Sequence, residues 1–467
     1  ARTNIFSPHQ IAERLGSTLR LLSSRSRTAA DRHRTIRAAI DWSYDLLDEK
    51  EKAVYRRLSV FRGGIGLGAA EAVCGARDEA IDVVEAVSSL VDKSLLGRAD
   101  TDTPRYAMLE TAREYAAEKL SDSGEKETVC TAHLQYFIEL TKDRGEEDLA
   151  ASERLKVDQG NIRQALEWSL ADEGNTELGL EFASNMAAFW VWLWGYLAEG
   201  QRWLEIAIEK SANAPDRIRI NLFLAAGEIA TRQGNIPLVR SYAKKQLEIC
   251  RETGDKLGSA GALSSLGWAD RVTGDTVSAR AHYEETFSIS VEIDDKSEAG
   301  YTSELIASVD RDEGDIESAK MRYEQAIAFH RKAGNGRDIA GTLSRFGDFL
   351  RHFAGEPGQA RVCFEESVDI CRKSGEKRVL SDALLRIGES LEFDGEWEKA
   401  RESYEESLTI SRERGDNPRI AEALISLSSI AQNQYDLNAA RSYCKQGLEI
   451  QEEQGIKQPR GPRRILG

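Results

Sequence analysis

A glycine followed by Asn, Asp or Glu returns at a nearly fixed interval: Gly234-Asn235, Gly274-Asp275, Gly314-Asp315, Gly355-Glu356 and Gly395-Glu396, with Tyr435-Asp436 as a degenerate sixth. The period is 40, and only one step is 41. After each comes a small residue and then a larger one at helical spacing, as in Ala279/Tyr283, Ala319/Tyr323, Ala360/Phe364 and Ala400/Tyr404. A further apolar column follows at Phe287, Ile327, Val368, Leu408 and Leu448. Steps of four mark one face of an α-helix and exclude a strand. A second punctuation at Gly254, Asp294, Gly334, Gly375, Gly415 and Gly455 splits each unit in two, so each reads as a helical hairpin. The Gly ends one helix in the left-handed conformation, and the residue after it caps the next. Pro215, Pro237, Pro357 and Pro418 all fall beside these turns, where a missing N–H costs little.

Before each turn the first helix carries a Leu-x-x-Leu-Gly relative: Leu263/Leu266/Gly267, Leu343/Phe346/Gly347, Leu384/Ile387/Gly388 and Leu424/Leu427/Ser428. These columns resemble the tetratricopeptide repeat in its extended-helix form. The resemblance implies about seven units over residues 175–455, one of them counted back from Gly195. Such hairpins cannot bury an apolar face alone; stacked, they make a right-handed superhelix whose first helices line a concave groove, a surface for binding. No reacting constellation is present, since His282, His330 and His352 stand apart without metal-ligand spacing. Six scattered cysteines form no C-x-x-C pair and read as buried free thiols.

Upstream, helices are expected over 33–47, 49–61, 68–74 and 81–95, then an extended pair around Asp100–Pro104 and a helix over 109–120, the order of a winged helix. The segments HRTIRAAIDWSYDLLDEKEKAVYRRLSVFRGGIGLGAAEAVCG (33–75), VVEAVSSLVDKSLL (83–96) and RYAMLETAREYAAEKL (105–120) closely resemble the winged helix of bacterial STAND-class, NB-ARC-like signalling ATPases and transcriptional regulators. The resemblance implies five parts: residues 1–32 as the last helices of an ATPase region, 33–120 as the winged helix, 121–174 as a helical connector, 175–455 as repeats, and 456–467 as a basic tail. The fold class expected is mainly α, a winged helix followed by an α-solenoid.

The chain has no G-x-x-x-x-G-K-[ST], so it lacks a phosphate cradle and is not expected to be an ATPase by itself. ATP, ADP and Mg would belong to a preceding domain, and this chain itself is expected to hold no cofactor and no metal. In the family a Met-His-Asp motif ends the winged helix and its His reaches bound ADP. Met108, Leu109 and Glu110 align with it, but Leu109 cannot donate a hydrogen bond. Hinge packing of Met108 and Leu109 is the alternative role.

The net charge of −16 disfavours the chain as a nucleic-acid binder, and the candidate recognition helix carries Asp82, Glu85 and Asp92 against Lys93, so DNA contact is not expected. Arginines 14, 20, 25, 27, 32 and 34 make the first segment basic, a surface expected to face the ATPase domain as an intramolecular partner. Absence of a long apolar run argues for a soluble, cytoplasmic chain without membrane contact.

Two constellations stand out in the repeats. Arg271, Arg311 and Arg351 fall on one projected stripe of the groove, near Trp268, Glu304 and Asp348. Three guanidiniums in register could clamp an acidic peptide, an acidic protein or a small anionic effector. Equally, each could be neutralised locally by Asp270, Asp310 or Asp348. The second constellation is the run Phe189, Trp190, Trp192, Trp194 and Tyr196, which is either a domain junction or an exposed ligand patch. Two functions remain: the sensor arm of a STAND-type regulator, relaying effector binding through the winged helix to an ATPase, or a free-standing tetratricopeptide scaffold.

Overall fold

The computed structural model describes residues 37–75, 81–99, 104–141, 155–192 and 196–453, with Ala99, Trp192 and Glu453 by backbone only; the expected ATPase remnant (1–32), Trp194 and the basic tail (456–467) lie outside the described residues. Two compact units divide the chain at Leu238/Val239. The described residues are mainly α-helical, as expected.

The first unit opens with α1 (37–45), α2 (Glu49–Arg57) and a 3-10 turn at Leu58–Val60. Asp48 and Glu51 form a reciprocal capping box at the start of α2. Next come β1 (Ile65–Gly66), α3 (Leu67–Cys74), α4 (Val83–Asp92), β2 (Gly97–Ala99), β3 (Arg105–Ala107) and α5 (Glu110–Asp122). The expected helix over 81–95 is shorter, because Asp82 caps its start and Ser94 turns left-handed (φ 59) at its end. Strand β1 was not foreseen: two residues carry no period, yet they pair with β3 to give the sheet order β1-β3-β2. Tyr55, Leu58, Leu90 and Tyr115 are buried at the centre of this winged helix. Its exit is clamped by Glu125, which receives Arg56 Nε at 2.7 Å and Arg57 Nη2 at 2.6 Å. Burial alone would raise the Glu125 carboxyl, but the two guanidiniums win and hold it at about 2. Helices α6 (Lys126–Thr141), α7 (Gln159–Ser169), α8 (Thr176–Asn185), α9 (Ala187–Trp192), α10 (Leu197–Lys210) and α11 (Asp216–Arg232) complete the unit.

The hairpins follow: α12 (Ile236–Thr253), α13 (Lys256–Val272), α14 (Thr276–Glu292), α15 (Lys296–Glu313), α16 (Ile316–Ala333), α17 (Gly336–Phe349), α18 (Pro357–Ser374), α19 (Lys377–Phe393), α20 (Trp397–Arg414), α21 (Asn417–Asn433) and α22 (Leu437–Glu453). In three hairpins the helices are locked by a bare backbone facing a ring, while the α15–α16 hairpin has buried Ala307 and Tyr323 at the same columns. A Cβ on Gly267, Gly347 or Gly388 would lie 2.5 Å from the ring of Tyr283, Phe364 or Tyr404 respectively. The last hairpin solves the same problem by volume exchange: Ser428 replaces Gly, fully buried Cys444 replaces the ring, and Ser428 Oγ donates to the Ala440 carbonyl at 3.0 Å. The single 41-residue step has a physical form as well. Gly347 keeps phase with the preceding unit and Gly355 has lost it by one residue, and between them Leu350–Ala354 winds as a π-helical turn that absorbs the extra residue.

Both degenerate turn positions keep the conformation that the pattern requires, with Asp294 at φ 57 and Tyr435 at φ 63. Tyr435 is 90% exposed, so its side chain contributes little packing there. Tyr435→Gly is expected to raise stability by about 1 kcal/mol by removing left-handed strain, read as an increase in urea midpoint. The ring lock makes a second prediction. Gly388→Ser alone is expected to lose about 2 kcal/mol and Tyr404→Cys alone about 3 kcal/mol. The double variant, which copies the last hairpin, should lose less than their sum by about 1 kcal/mol or more in a double-mutant cycle.

Candidate functional site

Within the second unit, α13, α15, α17, α19 and α21 are the first helices of successive hairpins, and their charged residues meet each other between repeats. Arg271 Nη1 donates to Asp312 Oδ2 at 2.8 Å, and Arg311 Nη2 reaches Oδ1 of the same carboxylate at 2.7 Å while its guanidinium lies 5.1 Å from the Phe353 ring centre. Arg351 pairs with Glu389 of the next first helix and approaches Asp348 at 3.6 Å. The three arginines are therefore engaged: Arg311 by its sequence neighbour Asp312, Arg271 by the same carboxylate one repeat on, and Arg351 by Glu389. Asp270 instead serves Arg240 and His282 (2.8 Å to Nδ1), and Asp310 serves Arg280 at 2.7 Å. Of the local partners expected from spacing, only Asp348 takes part.

Glu304 is not an open groove residue. It is 6% exposed, accepts from Arg345, whose Nη2 lies at 2.9 Å, and from the Thr342 hydroxyl, and faces His330 Nε2 at 3.4 Å. His330 fits because Gly300 lets its ring against the backbone, where a Cβ would lie 2.6 Å away. Burial pushes the Glu304 carboxyl up, but the His330 contact and the Arg345 charge outweigh it, and the net direction is down. Asp348 moves the other way: burial raises it, against the Arg386 and Arg351 charges. Trp268 is half-buried on α13.

Sequence reasoning missed Arg345, Arg386 and Arg419, which carry the ribbon onward. Arg386 lies 3.0 Å from Glu389, 3.3 Å from Glu422 and 3.5 Å from Asp348, and Arg419 Nη2 is 2.9 Å from Asp382. A signal was there: Arg345 and Arg386 occupy one repeat column, each with an acid three residues on. The face is a zipper of matched charges, with no stripe of free cations among the described residues.

The remaining candidates separate. Trp190 and Phe189 are buried, Trp190 lies against Gly200, and the Phe189 and Tyr196 rings stack at 6.5 Å. Arg163 on α7 donates to Glu199 at 2.6 Å beside them, so the described part of the aromatic run packs at the α7–α10 junction. At the end of the winged helix, Met108 packs against its core and Leu109 is 75% exposed; Glu110 pairs with Arg113 at 2.5 Å. The exposed side of α4 bears Asp82, Glu85 and Asp92, and Lys93 is taken by Glu51. Among the described residues, no helix is long and apolar enough to cross a membrane, and no group of three His, Cys, Asp or Glu could hold a metal ion.

The profile of the winged helix-turn-helix domain matches residues 47–121, and that of the tetratricopeptide repeat matches 338–412 and 379–453. A Mycobacterium tuberculosis protein provisionally named an HTH-type transcriptional regulator is 32% identical over 317 residues, 63% of this chain and 35% of that protein. A second, uncharacterised protein of that species is 36% identical over 146 residues, 29% of this chain and 36% of its own length. The chain thus spans about a third of the curated relatives it matches. Among solved structures, a signal transduction ATPase with numerous domains from Pyrococcus horikoshii, with a tetratricopeptide repeat sensor, shares the fold over 96% of this chain and 64% of its own, with a TM-score of 0.55 at 16% identity.

Glu304 supplies a test of the zipper. Its carboxyl is depressed, so its contribution is full above the ordinary carboxylate range and is lost as pH falls through its lowered folded value. Glu304→Gln is expected to cost about 1 kcal/mol at neutral pH, since Gln keeps a neutral hydrogen bond and Arg345, its side chain 54% exposed, keeps water around its charge. It should also flatten the acid limb of a plot of urea midpoint against pH.

Proposed function

From a chain that joins a winged helix-turn-helix domain to tetratricopeptide repeats, we infer the sensor arm of a STAND-type transcriptional regulator, acting in the cytoplasm. The repeats receive a protein or peptide effector, and the winged helix relays its presence to an ATPase domain that lies outside this chain and holds the nucleotide and Mg. The observation that carries the reading is the order of the parts, a winged helix-turn-helix domain at 47–121 ahead of tetratricopeptide repeats at 338–453, in a chain that shares the fold of the archaeal STAND protein over 96% of its length. The name of the mycobacterial relative supports transcription as the output.

The zipper refines the partner. Because the arginines of the groove already hold carboxylates, a purely acidic ligand would have to displace every rung. A segment carrying both signs can exchange with the ribbon rung by rung, and Arg345, whose side chain is 54% exposed, is the most open guanidinium for that exchange. The acidic face of α4 makes this winged helix a protein-contacting module, and exposed Trp42, Leu46 and Leu109 give it an apolar surface for a neighbouring domain.

A relay needs an effector that discriminates between two states of the ATPase. The reading frame upstream of the Ala1 codon is expected to encode an in-frame P-loop ATPase, and effector affinity of the longer protein should differ about tenfold between its ADP and ATP forms, a coupling of about 1.4 kcal/mol. A stop codon and start site just before Ala1, or equal affinity in both forms, would leave a scaffold instead.

A further inference from the structure

A cleft of about 500 Å³ lies where the winged helix meets the helices that follow it, between the 3-10 turn, α5, α6 and α7. That volume is ordinary for a small-molecule site. Its wall holds an unexplained polar group. His133 on α6 is 2% exposed, wedged between the rings of Phe61 (4.9 Å) and Phe137 (5.0 Å), and its Nε2 has no hydrogen-bond partner. Buried polar atoms are nearly always paired, so an orphan on the wall of a cleft asks for something in the cleft.

The charges around it specify what. Arg113 is bound by Glu110, and Glu118 is bound by Arg37 at 2.6 Å. Lys126 sits at the half-exposed rim, 3.8 Å from Glu173. An ion of either sign would be desolvated against carriers already neutralised. Trp168 offers an aromatic surface on the α7 side, Val60, Ala117 and Ala165 add apolar patches, and Glu114, Ser59, Ser121 and Gln164 make the rest of the lining polar. We propose that this cleft binds a small uncharged ring compound bearing a hydroxyl group, which stacks on Trp168 and hydrogen-bonds His133 Nε2. A hydroxyl can donate or accept, so it serves either imidazole tautomer. Burial drives the His133 pKa down to about 3, and the ring stays neutral at physiological pH, consistent with an uncharged guest. The ligand would bridge α5 of the winged helix to α6 and α7, a second input independent of what the repeats bind.

Fluorine NMR of para-fluorophenol against the whole chain tests this, with para-fluorobenzoate and para-fluorobenzylamine as charged counterparts. The phenol is expected to broaden and shift on binding. His133→Phe keeps the ring stack and removes the nitrogen, and should weaken binding about fivefold, the loss of one hydrogen bond. Ala117→Phe fills the cleft and should abolish it. Trp168→Leu, which removes the stacking surface, is a second blocking variant should Ala117→Phe change the circular dichroism melt. Equal phenol binding by all the folded variants, no phenol binding by the parent chain, or stronger binding of benzoate or benzylamine would each overturn the proposal.

Discussion

Contact between a missing side chain and a ring is the constraint on which the repeat half of this protein depends. Where Gly267, Gly347 and Gly388 meet Tyr283, Phe364 and Tyr404, backbone and ring approach to a distance that no Cβ tolerates. In those three hairpins the rest of the packing follows from that approach. It fixes how the two helices cross, and so which residues of the first helix are left to look at the neighbouring repeat. Ser428 and Cys444 show that the requirement is a summed volume and not a residue type, in keeping with the close packing of protein interiors. His330 against Gly300 repeats the device at a second point, within the α15–α16 hairpin, and places an imidazole beside Glu304.

The ion pairs divide by burial into two roles. Arg251–Glu285, Arg331–Glu366 and Arg372–Glu406 form rungs at 2.7, 2.6 and 2.8 Å, but both partners are about half exposed. Such pairs contribute a few tenths of a kcal/mol each and mainly favour solubility. The inner ribbon is different in kind: Glu304, Asp348 and Arg386 are desolvated, and removing one member strands another. Its charges act less as glue than as a register mark, since each guanidinium finds a carboxylate only when adjacent repeats stack in step.

Most of the fold was legible because it is periodic. Helix starts, left-handed turns and core columns recur, and recurrence tells a turn such as Asp294 or Tyr435 from an accident even without glycine. Strand β1 was not legible, since two residues have no period and their pairing to Tyr106 and Arg105 is a tertiary fact. The arginine stripe was placed on the right face, but its partners were not. Proximity in sequence favoured Asp270 and Asp310, whereas helix geometry sends those carboxylates to the neighbouring second helices. The cleft around His133 was invisible because its walls are drawn from four elements between Ser59 and Trp168, and a lone histidine with no spaced partner gives no motif.

The π-helical turn at Leu350–Ala354 has a consequence for anything read along the groove. Up to α17, equivalent positions advance by the same number of residues, so a guest with evenly spaced contacts keeps pace with the repeats. At the π turn the protein slips by one residue while its core stays in phase, and Arg351, the third rung of the expected stripe, answers to Glu389 where Arg271 and Arg311 answered to Asp312. The extra residue is spent inside that turn, so the groove columns run on one number later, Arg345 and Asp348 on α17 answering to Arg386 and Glu389 on α19, and a strict count of 40 would misassign every groove position beyond it.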